Sequence, residues 1–502
     1  MSRGARILRN TISNAALQGV QSLTGLVLLP LLIGYFGKEV YGINAYVEGI
    51  VAIFNFFAQA LSMSMTKFVP EFLASRQEEK LNNLIFSLLP FSLALYVVLG
   101  CAIIVFPVYG LGWFNVPSYL VPMTSRLMMV LGISTMLQFA LPLVGGILSG
   151  MERFHLANKI YLVNVLTMVA AYVYVVNTNG SLVTYVCLTQ VGYLSYVFIL
   201  GIVATRLLPM KLRLVRPKFR SIREVTGFNL FLIANQVSDH LMYTADRLIL
   251  QRVIGATAVT EYYVASRPKD IAQNFISMPL GAVLPSLSRS FAAKDLEFVR
   301  RINAEGANLY LALVVPPLLA LYFVFDHFVR LWVGPSFLDI VGTGRLFLLT
   351  VIVAAPFKVF SHSLVAKARV KEMGWVKFIF SIVNVAASYY LAIKWGLIGV
   401  VVPTAIFWMV IYPFTLFLVM RSESFVDSRD FNRLLIKVVL MTILCAASSG
   451  FISPLLGIHS WLSFCTHLIC AYLLFLGMFV AISDGGLIQL AHGELKKALE
   501  RQ

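Results

Sequence analysis

Charge is scarce in this sequence, and acid is scarcer than base. Charged residues make up 13% of 502, with 23 Asp and Glu against 40 Lys and Arg, while apolar residues reach 59%. Mean hydropathy is +0.83. A soluble domain averages about 25% charged and about 45–50% apolar, so a water-filled globular architecture is excluded. Five cysteines (Cys101, Cys187, Cys445, Cys465, Cys470) fall in apolar segments with no CxxC spacing, which speaks against a disulfide framework and a metal site. No GxxxxGK[ST] occurs, so the chain has no nucleotide-driven motor of its own, and no cofactor is expected. Linkers, low-complexity runs and a removable leader are missing too: the basic N-terminus MSRGARILRN runs straight into a full-length apolar span.

What is present is a series of apolar runs. A helical span needs about 20 mostly apolar residues, and about 14 such runs fit, near 10–35, 41–66, 82–106, 121–149, 156–177, 182–207, 225–250, 257–284, 305–331, 343–366, 374–394, 397–420, 432–453 and 460–483. The expectation is an all-α integral membrane protein. The net charge of +17 invites a nucleic-acid reading, but its distribution argues for topology. Basic clusters land on every second connection: Lys67–Lys80, Arg153–Lys159, Arg206–Arg223, Arg289–Arg301, Lys367–Lys377, Arg421–Lys437 and Lys496–Arg501. With Arg3, Arg6 and Arg9 they collect roughly 30 of the 40 basic residues on one side, as the preference of basic loops for the cytoplasm predicts. Both termini are then cytoplasmic, and no nucleic-acid partner is implied.

A shift of 218 residues lays GKEVYGINAY (37–46) on GATAVTEYYV (255–264), and GMERFHLANK (150–159) on ARVKEMGWVK (368–377). Six spans per half is an even number, so the halves share an orientation, and parallel repeats with a site between them are a transporter arrangement. The expected division is an N-lobe over 1–220, a C-lobe over 221–431, two further spans within 432–485 and an amphipathic tail over 486–502.

The costliest stretch is 226–274, where Asp239, His240, Asp246, Arg247, Arg252, Arg267, Lys269 and Asp270 interrupt two apolar spans. Ionisable groups at membrane depth cost several kcal/mol each unless they meet a partner or a watery cavity. Arg267 and Lys269 lie about 15 Å into the eighth span. Arg267 is the candidate phosphate contact, because its donor fork pairs bidentately with such anions; the bland alternative is an internal ion pair with Asp270 or Asp239. Lys269 points about 200° away from Arg267 on an ideal helix, so at most one of them faces a cavity directly. Asp239 and His240 are candidates for a proton- or sodium-linked switch, against the plainer reading of a satisfied interior histidine. Lys358 follows Pro356, where a kink frees carbonyls. Arg247 near the outer end is read as interfacial or as meeting a departing headgroup. Glu48, Asn14, Gln18 and Asn235 complete the polar candidates, and Asn44 is read equally as a sugar contact or a packing hydrogen bond.

Fourteen spans as six, six and two, with FGKEVYG (36–42) and LSGMERF (148–154), resemble the Wzx-type polysaccharide flippases of the MOP (multidrug/oligosaccharidyl-lipid/polysaccharide) superfamily. The resemblance implies a V-shaped pair of six-helix lobes plus two C-terminal helices, in the bacterial inner membrane. It implies a cationic cavity in which an undecaprenyl-diphosphate-linked oligosaccharide, an O-antigen or exopolysaccharide repeat unit for lipopolysaccharide-type polymers, turns over between leaflets. It also implies membrane lipids, a polysaccharide polymerase and a chain-length regulator as partners, with H+ or Na+ as coupling ion. Family members carry basic residues on the first and eighth spans; here the eighth has Arg267 and Lys269, while the first has only Arg9 at its inner edge. Two alternatives stay open. A multidrug cation antiporter of the same superfamily needs an acid-rich cavity, and a membrane glycosyltransferase or ligase needs a large loop bearing catalytic groups; the outer connections are too short for that, and no enzyme activity is expected.

Overall fold

A computed structural model describes residues 3–218, 237–238, 240–367, 371–422, 433, 436–437, 440, 443, 458 and 460–482. Every regular element among them is a helix. In chain order they are α1 (Arg3–Phe36), α2 (Lys38–Ala74), α3 (Glu78–Gly110), α4 (Val121–Leu137), α5 (Leu141–Gly150), α6 (Phe154–Asn177), α7 (Leu182–Leu207), α8 (Ala245–Val253), α9 (Ala256–Ala292), α10 (Leu296–Leu313), α11 (Val315–Phe323), α12 (Phe325–Trp332), α13 (Val341–Ala354), α14 (Lys358–Ala366), α15 (Lys371–Trp395), α16 (Leu397–Ile406), α17 (Tyr412–Ser422) and α18 (Trp461–Ile482). A 3-10 turn (Pro335–Ile340) precedes α13, and a π turn (Phe407–Ile411) joins α16 to α17.

Among the described residues, 8 helices are long and apolar enough to cross a membrane, or 9 when α4 and α5, bent by 48°, count as one broken span. The outward faces are apolar: Leu23, Val98, Leu166, Phe198, Ile382 and Leu462 are all exposed. Unpartnered apolar area on this scale marks a surface solvated by lipid, and the chain is a multi-pass membrane protein. The expected spans 156–177 and 182–207 coincide within a few residues with α6 and α7; 257–284 starts with α9, which runs on to Ala292, and 225–250 lies largely outside the described residues. Two others break where the expectation ran straight, 121–149 at Gln138–Ala140 and 305–331 into α10, α11 and α12, while 343–366 breaks at Ala355–Phe357 beside Pro356, where the sequence predicts a kink. The span expected at 432–453, the tail at 486–502 and the divisions at 220 and 431 lie outside the described residues.

The 218-residue repeat is written into the helix bounds. α2 and α9 start at Lys38 and Ala256 and end at Ala74 and Ala292; α3 and α10 start at Glu78 and Leu296; α6 and α15 end at Asn177 and Trp395. Each pair is separated by the same interval as the sequence matches. The aligned glycines explain the match at the first turn. Gly37 (φ 85°) and Gly255 (φ 118°) both occupy the positive-φ region at the start of the following helix, where a Cβ would be strained.

Two compact units emerge from the packing: Met1–Val264 with Gly374–Pro403, and Ala265–Met373 with Thr404–Gln502. The first has a core of Leu61, Met65 and Val69 from α2, Leu81, Leu84 and Leu88 from α3, Leu143 and Ile147 from α5, and Leu200 and Ala204 from α7. In the second, Ile276 of α9, Tyr310 of α10, Val351 of α13, Ala355 and Val359 of α14 pack together. Tyr310 donates to the Ile276 carbonyl at 2.6 Å, so the one polar atom of that cluster is satisfied. The same unit holds α18 against α12 through Phe328, Trp461 and Phe464, with Phe328 and Phe464 centroids 5.8 Å apart.

Candidate functional site

The second unit carries three of the basic candidates, Arg267, Lys269 and Lys358. Arg267 and Lys269 sit two positions apart on α9, and their burial differs as the helix geometry requires. Lys269 is 4% exposed, while Arg267 is half-buried. Lys269 pairs with Asp270 at 2.9 Å and lies 4.9 Å over the Phe347 ring of α13. A lone acid, itself 40% exposed at the side chain, and the negative face of an aromatic ring offset the desolvation of that ammonium. The acid expected as an alternative partner for Arg267 is thus engaged by Lys269. Arg267 keeps its Nε buried without a hydrogen-bond partner among the described residues.

Lys358 opens α14 just past the break at Ala355–Phe357, its amide bonding back to Ala355 at 3.2 Å. Its carbonyl accepts from the Ser361 hydroxyl at 2.8 Å and faces the His362 Nδ1 at 2.9 Å. Those contacts, made by the Lys358 backbone, hold the first turn of α14. Lys358 and Lys269 repel each other, as the packing of α9 against α13 and α14 requires. Lys269 and Lys358 thus lie close enough to feel each other's charge, and Asp270 pairs with Lys269. Guanidinium and ammonium groups are suited to phosphate oxygens.

In the first unit most candidates make contacts within their own helices or with a neighbouring one. Arg247 of α8 stacks 5.0 Å from the Tyr263 ring and runs along Gly49 of α2, where a Cβ would stand 3.5 Å from its Cδ. That seating is intramolecular, and its Nε is buried without a hydrogen-bond partner among the described residues. Asp246 is fully buried and accepts from the Tyr262 hydroxyl at 2.8 Å. A carboxylate 16 residues before its phenol partner leaves no local spacing signal, so sequence reasoning missed the pair. Glu48 is exposed and accepts from Asn44 Nδ2 at 2.9 Å, which spends the amide within one turn of α2. His240 has Nδ1 3.4 Å from the Thr244 hydroxyl.

On α1, Asn14 is exposed and accepts from Asn158 of α6 at 2.6 Å. Gln18 is half-buried, with its Oε1 unpartnered among the described residues. Asn235 and Asp239 lie outside the described residues. Arg345 ties the carbonyls of Tyr322 and Phe323 to Asp326 at 3.0–3.2 Å and so closes the α11–α12 break. No group of three metal-ligating side chains occurs among the described residues.

The motif residues have structural duties. In FGKEVYG, Gly37 supplies the positive φ. A Cβ on Gly42 would fall 1.8 Å from the Ala256 carbonyl oxygen, so its hydrogen lets α2 and the first turn of α9 touch backbone to backbone. Thr260 donates to the Lys38 carbonyl at 2.6 Å, and Lys38 meets Glu261 at 3.8 Å. In LSGMERF, Glu152 takes a positive φ of 56° and presents its carbonyl to Asn10 Nδ2 at 2.8 Å.

Solved structures share this arrangement of helices. A lipid II flippase, MurJ, in an inward closed conformation superposes with a TM-score of 0.74 at 17% identity, covering 95% of this chain and 100% of that one. An inward-facing multidrug resistance transporter of the MATE family, in the MOP superfamily, gives 0.65 at 14% identity over 83% of this chain and 95% of that one. A MOP superfamily transporter from Pyrococcus furiosus, described as having a binding pocket of reverse polarity, gives 0.59 at 14% over 84% and 96%. At such identities the likeness carries the fold. No protein of curated function matches by sequence. The family model described as polysaccharide biosynthesis protein matches residues 7–291. That match covers more than half of the chain, and the chain belongs to the polysaccharide biosynthesis protein family, with the fold of the MOP superfamily.

Proposed function

We propose that the chain is a flippase that moves an undecaprenyl-diphosphate-linked oligosaccharide from the cytoplasmic to the outer leaflet of a bacterial inner membrane by alternating access. The glycan is an O-antigen or exopolysaccharide repeat unit. The observation that supports this reading is the clustering of base in the second unit: Arg267 keeps a buried Nε unpartnered among the described residues, and Lys358 lies close enough to Lys269 for the two to repel. A diphosphate brings negative charge to these groups, and its binding there lowers the barrier to moving a hydrated headgroup through hydrocarbon.

In this reading Arg267 is the first diphosphate contact, because its fork is not consumed by Asp270. Lys358 adds a second positive charge, and Lys269 tunes the field from behind. Asn14, Gln18 and Asn235 hydrogen-bond sugar, and Glu48 and Arg247 shape the first unit's wall. Asp239 and His240 form the titrating switch through which a proton or sodium gradient couples to release. Both termini are cytoplasmic, the lobes divide near 220 and 431, and a polymerase with its chain-length regulator consumes the product. The multidrug antiporter reading fits the MATE likeness in fold but not the sign of the buried charge, since cationic drugs need acid. The chain catalyses no covalent step.

The test is Arg267→Ala in proteoliposomes carrying a fluorescent undecaprenyl-diphosphate glycan, with dithionite quenching from outside. The expected result is loss of transfer with the melting temperature retained. Unimpaired transfer by a correctly folded variant removes Arg267 from the mechanism.

A further inference from the structure

A groove of about 850 Å3 runs between α1 and α6 inside the first unit. One wall is the α1 face Arg9, Ile12, Ala16, Leu17 and Val20, and the other includes Lys159 and Leu162 of α6. Two cations line it: Arg9 at the end nearest the N-terminus and Lys159 on α6, about a turn and a half further along by the Asn10–His155 and Asn14–Asn158 pairing. Arg9 has a buried Nε with no hydrogen-bond partner among the described residues, and no acidic side chain is among the described residues that line the groove. Past these cations the lining turns apolar, and Ile12 and Val20 are themselves open to the surroundings. Ala16, too small to fill the space between the helices, leaves the hollow.

The walls are fixed by side-chain bonds. Asn10 Nδ2 donates to the Glu152 carbonyl, and its Oδ1 accepts from the His155 amide at 3.4 Å and faces the ring at 3.2 Å. Asn158 donates to Asn14 at 2.6 Å and to Ser13 at 3.2 Å. These bonds engage the polar groups between the two helices, while the buried Arg9 Nε has no partner among the described residues and the Lys159 ammonium is exposed.

We propose that this groove binds one anionic glycerophospholipid, with the headgroup phosphate between Arg9 and Lys159 and an acyl chain along Ile12, Leu17, Val20 and Leu162. From Arg9 to Val20 the helix rises about 16 Å, half of the roughly 30 Å hydrocarbon core and so the depth of one leaflet. That length suits a phospholipid acyl chain and is short for an undecaprenyl tail. The inference is independent of the transport reading, because the groove belongs to the first unit and uses none of the residues assigned to the flipped substrate's phosphate.

Each surface cation adds about 1 kcal/mol toward an anionic lipid, so loss of both weakens binding about thirtyfold at tenfold per 1.4 kcal/mol. The experiment is native mass spectrometry of the full-length protein delipidated and titrated with phosphatidylglycerol or phosphatidylcholine. The expected result is one retained phosphatidylglycerol, preferred over phosphatidylcholine, and about thirtyfold weaker retention in Arg9→Gln/Lys159→Gln. Ala16→Phe, which fills the hollow and leaves both cations, also loses it, while Arg206→Gln at the far end of α7 keeps it. The proposal is overturned if the two lipids bind equally, if Arg206→Gln loses as much as the double variant, or if Ala16→Phe binds like the wild type. Displacement of phosphatidylglycerol by inorganic phosphate alone overturns it in favour of a bare anion site, and displacement by equimolar undecaprenyl phosphate overturns it in favour of a substrate site.

Discussion

Gly42→Ala isolates the backbone contact that joins the two copies of the repeated turn. The added Cβ meets the Ala256 carbonyl oxygen at 1.8 Å and its carbon at 2.5 Å, against ordinary contact of 3.4 Å or more. The first turn of α9 therefore has to retreat by about 1.5 Å, since close-packed interiors have no slack of that size. Overpacking of this kind costs about 1–3 kcal/mol. The retreat also breaks the 2.6 Å bond from Thr260 to the Lys38 carbonyl, a further ~1 kcal/mol. Together the loss is about 2–4 kcal/mol, a large part of a typical folding stability of about 5–15 kcal/mol. Gly34→Ala is the control, because nothing lies within 4 Å of its Cβ position and alanine is the better helix former by about 1 kcal/mol. Thermal unfolding in detergent should show Gly42→Ala well below the wild type and Gly34→Ala at or above it. Equal melting of the two variants would refute the close approach of α2 and α9.

Other consequences follow from individual contacts. Gly49→Leu drives a branched side chain into the Arg247 methylenes, 3.5 Å from the glycine's Cβ position, and should lift the guanidinium off Tyr263; the double variant with Arg247→Ala should recover most of the lost stability, and additive losses would deny the contact. Lys269→Met should leave stability within about 1 kcal/mol of the wild type or raise it, because an apolar isostere removes the desolvation of a buried cation and the exposed Asp270 is solvated by itself; a drop of several kcal/mol would show that the ion pair is structural glue. Tyr119, in the connection before α4, donates its hydroxyl to Glu39, and its pKa is held above the ordinary value first by that bond, then by desolvation and by the carboxylate's charge. Because ionisation removes the proton that is donated, the contact is complete below about pH 10 and is lost as pH rises through the raised value. The tyrosinate absorbance difference between wild type and Tyr119→Phe should titrate late and return to the ordinary range in Glu39→Gln.

Much of the scaffold was legible because its signals are periodic. Apolar runs near one leaflet-to-leaflet length, basic loops on alternate connections and a 218-residue echo predicted helices whose bounds repeat at that interval. The breaks were less legible. Pro356 announced one at Ala355–Phe357, yet its counterpart at Gln138–Ala140 precedes its proline and reads as an unbroken apolar run. Among candidate residues, the 200° separation of Arg267 and Lys269 goes with a difference in burial, Lys269 being enclosed and Arg267 more open. What sequence could not foretell was the choice of partners. Asp270 took Lys269, Tyr262 took Asp246, Asn44 took Glu48, and Tyr263 took Arg247. Such pairings depend on helix rotation and on which neighbour is small, as Gly49 is, and single-chain patterning carries neither.

The central claim is that the second unit's buried cations serve a lipid-linked diphosphate. The most direct measurement sets wild type and Arg267→Ala/Lys358→Met side by side in liposomes, following both a fluorescent undecaprenyl-diphosphate glycan and a cationic dye. The account predicts glycan transfer by the wild type alone and no dye transport by either. Dye transport by the wild type, or glycan transfer that survives the loss of both cations in a folded variant, would contradict it.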